Sequence, residues 1–114
     1  MKEDVKDKWI SELEGDNHQQ GKDFLNKYGK KCCLGVLTDI YIKEHNLEWK
    51  HYDAAKKDLL TFDDEGWLLP ARVCHWAGLK ETNPYILSMG DTLSGLNDSG
   101  KTFKEIAQLI KLNL

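Results

Sequence analysis

Apolar residues recur at helical spacing near the start of the chain. Val5, Trp9 and Leu13 fall on one stripe, which predicts an amphipathic helix. The stripe ends at about Glu14, and Gly15 follows as the expected stop, because glycine adopts the left-handed conformation at little steric cost.

The most apolar stretch of the chain is Lys31–Ile42, and the segment continues to Asn46 without a break. Its broad apolar belt predicts a helix at the centre of the core. A buried strand over residues 33–37 is the alternative, but the length of the stretch favours the helix. Gly35 lies inside it and costs about 1 kcal/mol of helix propensity relative to alanine. We therefore expect another segment to approach the helix closely at Gly35.

The clearest helix signal lies near the end of the chain. Thr102 and Glu105 have the spacing of a capping box, in which each side chain binds the backbone amide of the other residue. Apolar residues from Phe103 to Ile110 then recur on one face. A short apolar turn and the segment Asn97–Gly100 come before this helix, and their residue types are typical of turns and caps.

The middle of the chain shows a different pattern. Apolar runs at 59–62 and 67–69 flank the polar segment 63–66, which predicts an antiparallel hairpin. Pro70 then starts a short helical pattern that Gly78 ends. Apolar residues do not recur at a regular spacing in residues 16–31. We interpret this segment as a partly ordered connection with one helical turn around Phe24, Leu25 and Tyr28.

These elements predict one domain, residues 1–114, of the α+β class. It should be mainly helical, with about four helices and a small antiparallel β hairpin inserted between the second and third. The 114 residues are 40% hydrophobic and 31% charged, which fits an ordinary folded domain. No apolar stretch approaches the roughly 20 residues of a membrane helix, and the charged N-terminal segment lacks the apolar core of a signal peptide. We expect a cytoplasmic protein with no membrane partner.

Charge limits the partners further. The net charge of −3 argues against general nucleic-acid binding, which needs a basic surface. One local basic run contains Lys22, Lys27, Lys30 and Lys31. Such a run is usually a solvated face, and an anion site is the alternative.

The cysteines Cys32, Cys33 and Cys74 fit a reducing compartment better than a disulfide framework. With His75 they could form a zinc set, but adjacent ligands on a helix point about 100° apart and cannot both face one ion. No motif surrounds a cysteine that would activate it as a nucleophile. We therefore predict no metal, no cofactor and no catalytic residue.

Three sequence blocks occur together in order: Cys32–Leu37, Leu69–Leu79 and Leu96–Ala107. This combination resembles a family of small, mostly uncharacterised proteins encoded by bacteriophages and prophages. The resemblance spans nearly the whole chain, although segment 43–66 departs from it. It carries no assigned activity; it implies a small phage protein that acts in the cytoplasm of the host bacterium on host machinery or host defence.

The first functional hypothesis is a non-enzymatic protein that counters host defence by sequestering a nucleotide signal, in a homo-oligomer that holds the ligand between its copies. Lysines and short polar side chains ahead of a helix N-terminus suit such an anion. The candidate contacts are Gln20, Lys22 and Lys31 for phosphate, with Asn97 and Asp98 for ribose or base edges. The alternative for Asn97 and Asp98 is a purely structural cap.

The second hypothesis is a protein-binding inhibitor or adaptor that acts on a host enzyme. Trp49, Tyr52, Trp67 and Tyr85 lie in irregular segments and are candidates for exposure. Exposed aromatic residues serve protein interfaces, and near lysines they also stack nucleotide bases, so the sequence does not separate the two uses. A nucleotide-degrading enzyme is the third hypothesis, although no paired-histidine or metal motif supports it.

Overall fold

A computed structural model describes all 114 residues, and it confirms the α+β class with a mainly helical content. There are five α-helices, rather than about four. Their bounds are Glu3–Glu14 (α1), Cys33–Glu44 (α2), Ala71–Ala77 (α3), Leu93–Asp98 (α4) and Phe103–Asn113 (α5). The additional helix is α4, whose six residues are too few to show a helical period and whose sequence therefore predicts only a short apolar turn.

The strands are two or three residues long. Five of them form one sheet in the order β1-β3-β2-β5-β4, and two more form a separate pair, β6-β7. Their bounds are Gln19–Gln20 (β1), Asn26–Lys27 (β2), Lys30–Lys31 (β3), Lys50–His51 (β4), Leu59–Thr61 (β5), Tyr85–Ile86 (β6) and Asp91–Thr92 (β7). All pairings are antiparallel except that of β1 with β3.

The predicted hairpin between 59–62 and 67–69 does not form. The antiparallel pair between α2 and α3 is formed by β4 and β5 instead, β5 also pairs with β2, and 67–69 is not a strand. Only a bridge between Phe62 and Glu65 closes the intervening turn. Three strands of the sheet also precede α2, in the segment that was interpreted as a loose connection with a helical turn. Strands this short cannot show the alternation on which a sequence prediction depends.

Helix α2 is the centre of the core, as its apolar belt predicted. Every residue from Cys33 to Ile42 is buried. A single hydrophobic cluster includes residues of all five helices. The indole Nε1 of Trp9 on α1 donates to the Cys33 carbonyl at 3.0 Å, so this buried indole keeps its hydrogen bond.

The close approach expected at Gly35 is confirmed. The backbone of Leu25 lies against this glycine, and an added Cβ would meet the Leu25 carbonyl carbon at 2.7 Å. A separation below 3.0 Å is too short for a real side chain. Glycine is therefore required at position 35 for packing, which outweighs its poor helix propensity.

The predicted capping box of α5 is also confirmed. The Thr102 hydroxyl accepts from the Glu105 amide at 3.2 Å, and the Glu105 carboxylate accepts from the Thr102 amide at 3.1 Å. Helix α4 has its own cap, the Thr92 hydroxyl, which accepts from the Gly95 amide at 3.2 Å. None of the helices combines the length and the apolar character needed to cross a membrane.

Candidate functional site

Three of the five predicted contact residues, Gln20, Asn97 and Asp98, meet at one corner of the fold, where Asn97 is buried and the other two are half-buried. Gln20 on β1 donates through Nε2 to Asn97 Oδ1 at 2.9 Å and to the Lys101 carbonyl at 2.8 Å. Its Oε1 accepts from the amide of Phe103, the first residue of α5, at 3.1 Å. Gln20 therefore satisfies a free amide at the N-terminus of α5 from a distant strand.

Asn97 uses its full hydrogen-bonding capacity inside the chain. Its Oδ1 accepts from Gln20 and from the Cys33 amide at 3.2 Å, which is the first amide of α2. Its Nδ2 donates to the Gly21 carbonyl at 2.9 Å and to Asp98 Oδ1 at 3.0 Å. Only 1% of Asn97 is exposed. An amide side chain has two donors and two acceptor sites, and all four are filled.

The remaining predicted contacts are less enclosed. Asp98 Oδ1 also accepts from the Asp23 amide at 3.0 Å. Lys22 lines a shallow pocket of about 310 Å³ together with Gln20 and Lys101. Lys31 is paired with Gln20 in the sheet but does not line this pocket. Ligand binding at these five residues stays a prediction, and the hydrogen bonds of Gln20 and Asn97 give those two a structural role.

A second feature, which the predicted contact residues do not include, is an open cleft rich in aromatic residues. We call it the aromatic cleft; its volume is about 380 Å³, within the range of small-molecule sites, about 300–1,000 Å³. It is lined by Phe24, Lys27, Tyr28, Tyr52, Ala55, Lys56, Asp58, Leu59 and Trp67.

Three of the four aromatic side chains of the cleft are exposed. The exposed fraction is 68% for Tyr28, 49% for Tyr52 and 46% for Trp67. The rings of Phe24 and Trp67 lie 5.5 Å apart between centroids and are tilted by 47°. Contiguous exposed aromatic surface of this kind marks interaction sites in folded proteins.

Two lysines lie against these rings. The ammonium group of Lys27 is 4.4 Å from the centre of the Phe24 ring and 5.3 Å from that of Tyr28. The ammonium group of Lys56 is 5.4 Å from the centre of the Tyr52 ring. Neither lysine forms an ion pair with a carboxylate. The cleft thus carries two positive charges without anionic partners, and one carboxylate, Asp58, on its lining.

A tight hairpin lies at one side of the cleft. Tyr28 and Gly29 connect β2 to β3 with φ angles of 55° and 74°. Two consecutive positive φ angles define the two-residue turn that matches the twist of a hairpin. The Tyr28 amide donates to the Asp58 carbonyl at 2.9 Å, which fixes the hairpin against the start of β5.

Two of the four aromatic residues singled out in the sequence, Tyr52 and Trp67, line the cleft. Trp49 does not; its indole donates to Asp39 Oδ1 at 2.9 Å. Tyr85 lies on β6 and is half exposed. Sequence reasoning missed the contribution of the 24–28 segment, because it was assigned to a helical turn. The sequence signal that was present is the grouping of two aromatic residues with one lysine, Phe24, Lys27 and Tyr28.

The three cysteines are free and buried. Burial raises the pKa of the Cys32 thiol to about 11 and that of Cys33 well above its usual value. Burial, reinforced by the nearby Glu81, also raises the pKa of Cys74. Thiols with raised pKa values remain protonated near neutral pH, which suits packing rather than attack or metal ligation. No three Cys, His, Asp or Glu side chains are grouped so that they could hold a metal ion.

Comparison with known proteins identifies a family without an assigned function. Residues 1–114 match the family described as a domain of unknown function, DUF8296, and the chain belongs to this family. Neither a curated protein nor a solved structure matches the chain.

Proposed function

We propose that this member of the DUF8296 family is a non-enzymatic protein that binds a nucleotide-type ligand in the aromatic cleft. The observation that carries the proposal is the pairing of exposed aromatic faces with lysines that have no anionic partner. A base stacks on an aromatic ring regardless of its identity, and the neighbouring ammonium groups neutralise its phosphate.

The charge of the cleft favours an anion over a cation. Aromatic clusters also bind cationic ligands such as quaternary ammonium groups. In this cleft, however, the protein's own ammonium groups already lie over the rings of Phe24, Tyr28 and Tyr52. A cationic ligand would be repelled by Lys27 and Lys56. An anionic ligand attracts both lysines and leaves the ring faces to its base.

The biological role that we propose is sequestration of a nucleotide signal used by a host defence system. It rests on the resemblance of blocks Cys32–Leu37, Leu69–Leu79 and Leu96–Ala107 to phage-encoded proteins. An open cleft that offers aromatic surface and charge suits binding and release of an unchanged ligand. A homo-oligomer with the ligand between copies would enclose the exposed rings further.

A thermal-shift panel of linear and cyclic nucleotides tests the proposal. At 100 times its dissociation constant a ligand stabilises the folded state by about 2.7 kcal/mol, which corresponds to a rise in Tm of roughly 10 °C in a domain of this size. The matched control is Trp67→Ala, in which the rise in Tm caused by the ligand should largely disappear. Nucleotides recovered after incubation should have unchanged mass. No rise with any nucleotide would contradict nucleotide binding, and a changed mass would contradict a non-enzymatic role.

A second candidate function is inhibition of a host protein, and one surface supports it. Leu87 is 84% exposed in the turn between β6 and β7, and Tyr85 and Met89 beside it are also exposed. Adjacent exposed apolar side chains mark surfaces that bind other proteins. Affinity capture from host lysate with the wild-type chain and with Leu87→Ser tests this function. A partner that the wild type retains and the variant loses would support it, and identical captures would contradict it.

A further inference from the structure

The aromatic cleft contains one acidic side chain whose role the phosphate and stacking interactions do not explain. Asp58 lines the cleft immediately before the buried Leu59, and its carbonyl is held by the Tyr28 amide at 2.9 Å. Its backbone is thus fixed by the same contact that holds the hairpin against the start of β5. Its carboxylate forms neither a hydrogen bond nor an ion pair within the chain.

Asp58 is exposed to solvent, and it differs from Asp53, the other aspartate of this segment, in having no local structural contact. The Asp53 carboxylate accepts from the amides of Ala55 and Lys56 at 2.8 and 2.7 Å, so it stabilises a local turn. Asp58 makes no such contact. It also weakens the attraction of the cleft for phosphate, since it opposes the charges of Lys27 and Lys56. A carboxylate in this position helps a nucleotide ligand only if it binds the base or the sugar.

On the basis of the proposed function, we infer that Asp58 reads the base and makes the cleft selective for guanine nucleotides. A carboxylate has only acceptor atoms at neutral pH. Guanine presents two adjacent donors, N1–H and the 2-amino group, which match the two oxygens of a carboxylate. Charge-assisted pairs with this two-point geometry are the strong ones.

The other bases fit a carboxylate less well. Adenine places the acceptor N1 beside its 6-amino donor, so one oxygen of Asp58 would face a lone pair. Hypoxanthine keeps the N1–H donor but lacks the 2-amino group, so it offers one hydrogen bond instead of two. Uracil offers a single N–H between two carbonyl oxygens, which the carboxylate repels. The expected order of affinity is therefore GMP, then IMP, then AMP and UMP.

Titration calorimetry with these four monophosphates tests the inference on the full chain. For the wild type we expect GMP to bind about tenfold more tightly than AMP, the lower part of the range for a two-point base contact. In Asp58→Asn the preference should fall below about twofold, because an amide also pairs with adenine. AMP should bind the variant more tightly than it binds the wild type, because a repulsive charge is gone.

The matched control is Glu48→Gln, which removes the same charge at an exposed position outside the cleft. It should leave the order of the four nucleotides unchanged. Equal affinities for all four in the wild type, or a guanine preference that persists in Asp58→Asn, would overturn the inference while leaving nucleotide binding intact. If none of the four binds to the wild type while another nucleotide of the thermal-shift panel does, the inference fails and the proposed function stands; if no nucleotide of either set binds, both fail.

Discussion

Two regions of this protein combine polar and charged groups near a helix or a strand end, but they use them in opposite ways. At the corner of the fold, Gln20 and Asn97 direct their donors and acceptors into the chain and complete the N-termini of α2 and α5. In the aromatic cleft, Lys27 and Lys56 have no anionic partner and the rings beside them are exposed. A polar cluster that resembles a ligand loop in sequence can therefore be structural, whereas unpaired charge beside exposed aromatic surface is available to a ligand.

Helix α2 supports both regions, so the largest expected effect comes from Gly35. Leu25, whose backbone lies against Gly35, directly follows Phe24 of the cleft. Helix α2 begins at Cys33, whose amide is bound by Asn97 of the corner. Gly35→Ala should lower the free energy of unfolding by about 3 kcal/mol or more, because the methyl group would overlap backbone that cannot move aside. Urea denaturation measures the loss.

The control for this substitution is Gly66→Ala. There an added Cβ meets only Thr61 Cγ2, at an ordinary 3.5 Å. That variant should be close to the wild type. If Gly35→Ala is equally stable, the account of close packing under the two regions is wrong.

The second largest effect is expected at Asn97, and it tests whether the corner is structural or binds the ligand. Asn97→Ala should cost about 3 kcal/mol of unfolding free energy, because the Cys33 amide and the Gly21 carbonyl lose a buried partner. Asp98→Ala should cost less, since Asp98 is only half-buried. The nucleotide affinity of the folded fraction should remain unchanged in both. A loss of affinity without a loss of stability would place the site at the corner.

Trp67→Ala should lower the nucleotide affinity and leave the stability of the fold nearly unchanged. Its ring is half exposed, so the unfolding free energy should change by less than about 1 kcal/mol. Nucleotide affinity should fall about tenfold or more, since stacking of one base contributes about 1–3 kcal/mol. Titration calorimetry beside urea denaturation measures both quantities. Unchanged affinity would exclude this ring from the site.

The smallest expected effect is the loss of one positive charge of the cleft. Lys27→Ala should weaken nucleotide binding about fivefold, and the dependence of affinity on salt concentration should become shallower, because one phosphate contact is removed. Lys104→Ala removes the same charge from an exposed position on α5 and serves as the control. Equal salt dependence in the wild type and in Lys27→Ala would argue against a phosphate near Lys27.

The sequence sufficed for the parts of the fold that local rules control. The Thr102–Glu105 capping box, the long helix across Gly35 and the short helix after Pro70 follow from residue type and spacing. The packing requirement at Gly35 could also be predicted, because a glycine inside an apolar helix needs a compensating contact. Helix α4 was missed because six residues give little more than one turn of periodicity.

The sheet and both candidate regions depend on contacts that local patterns do not encode. Gln20 and Asn97 are 77 positions apart, and the hydrogen bond between their side chains requires that β1 and α4 lie side by side. The cleft likewise joins the 24–28 segment to residues 52–67 through the pairing of β2 with β5. The aromatic residues and lysines are visible in the sequence, but their common surface exists only in the folded sheet.

Chemical-shift mapping by NMR on the full chain, titrated with GMP, tests the central claim most directly. The account predicts that the largest perturbations fall on the amides of Lys27, Tyr28, Asp58 and Leu59 and on the indole N–H of Trp67. The amides of Gln20, Lys22 and Asn97 should remain at their positions. Perturbations concentrated at Gln20, Lys22 and Asn97, with the Trp67 indole unmoved, would contradict the account and make the corner the binding site.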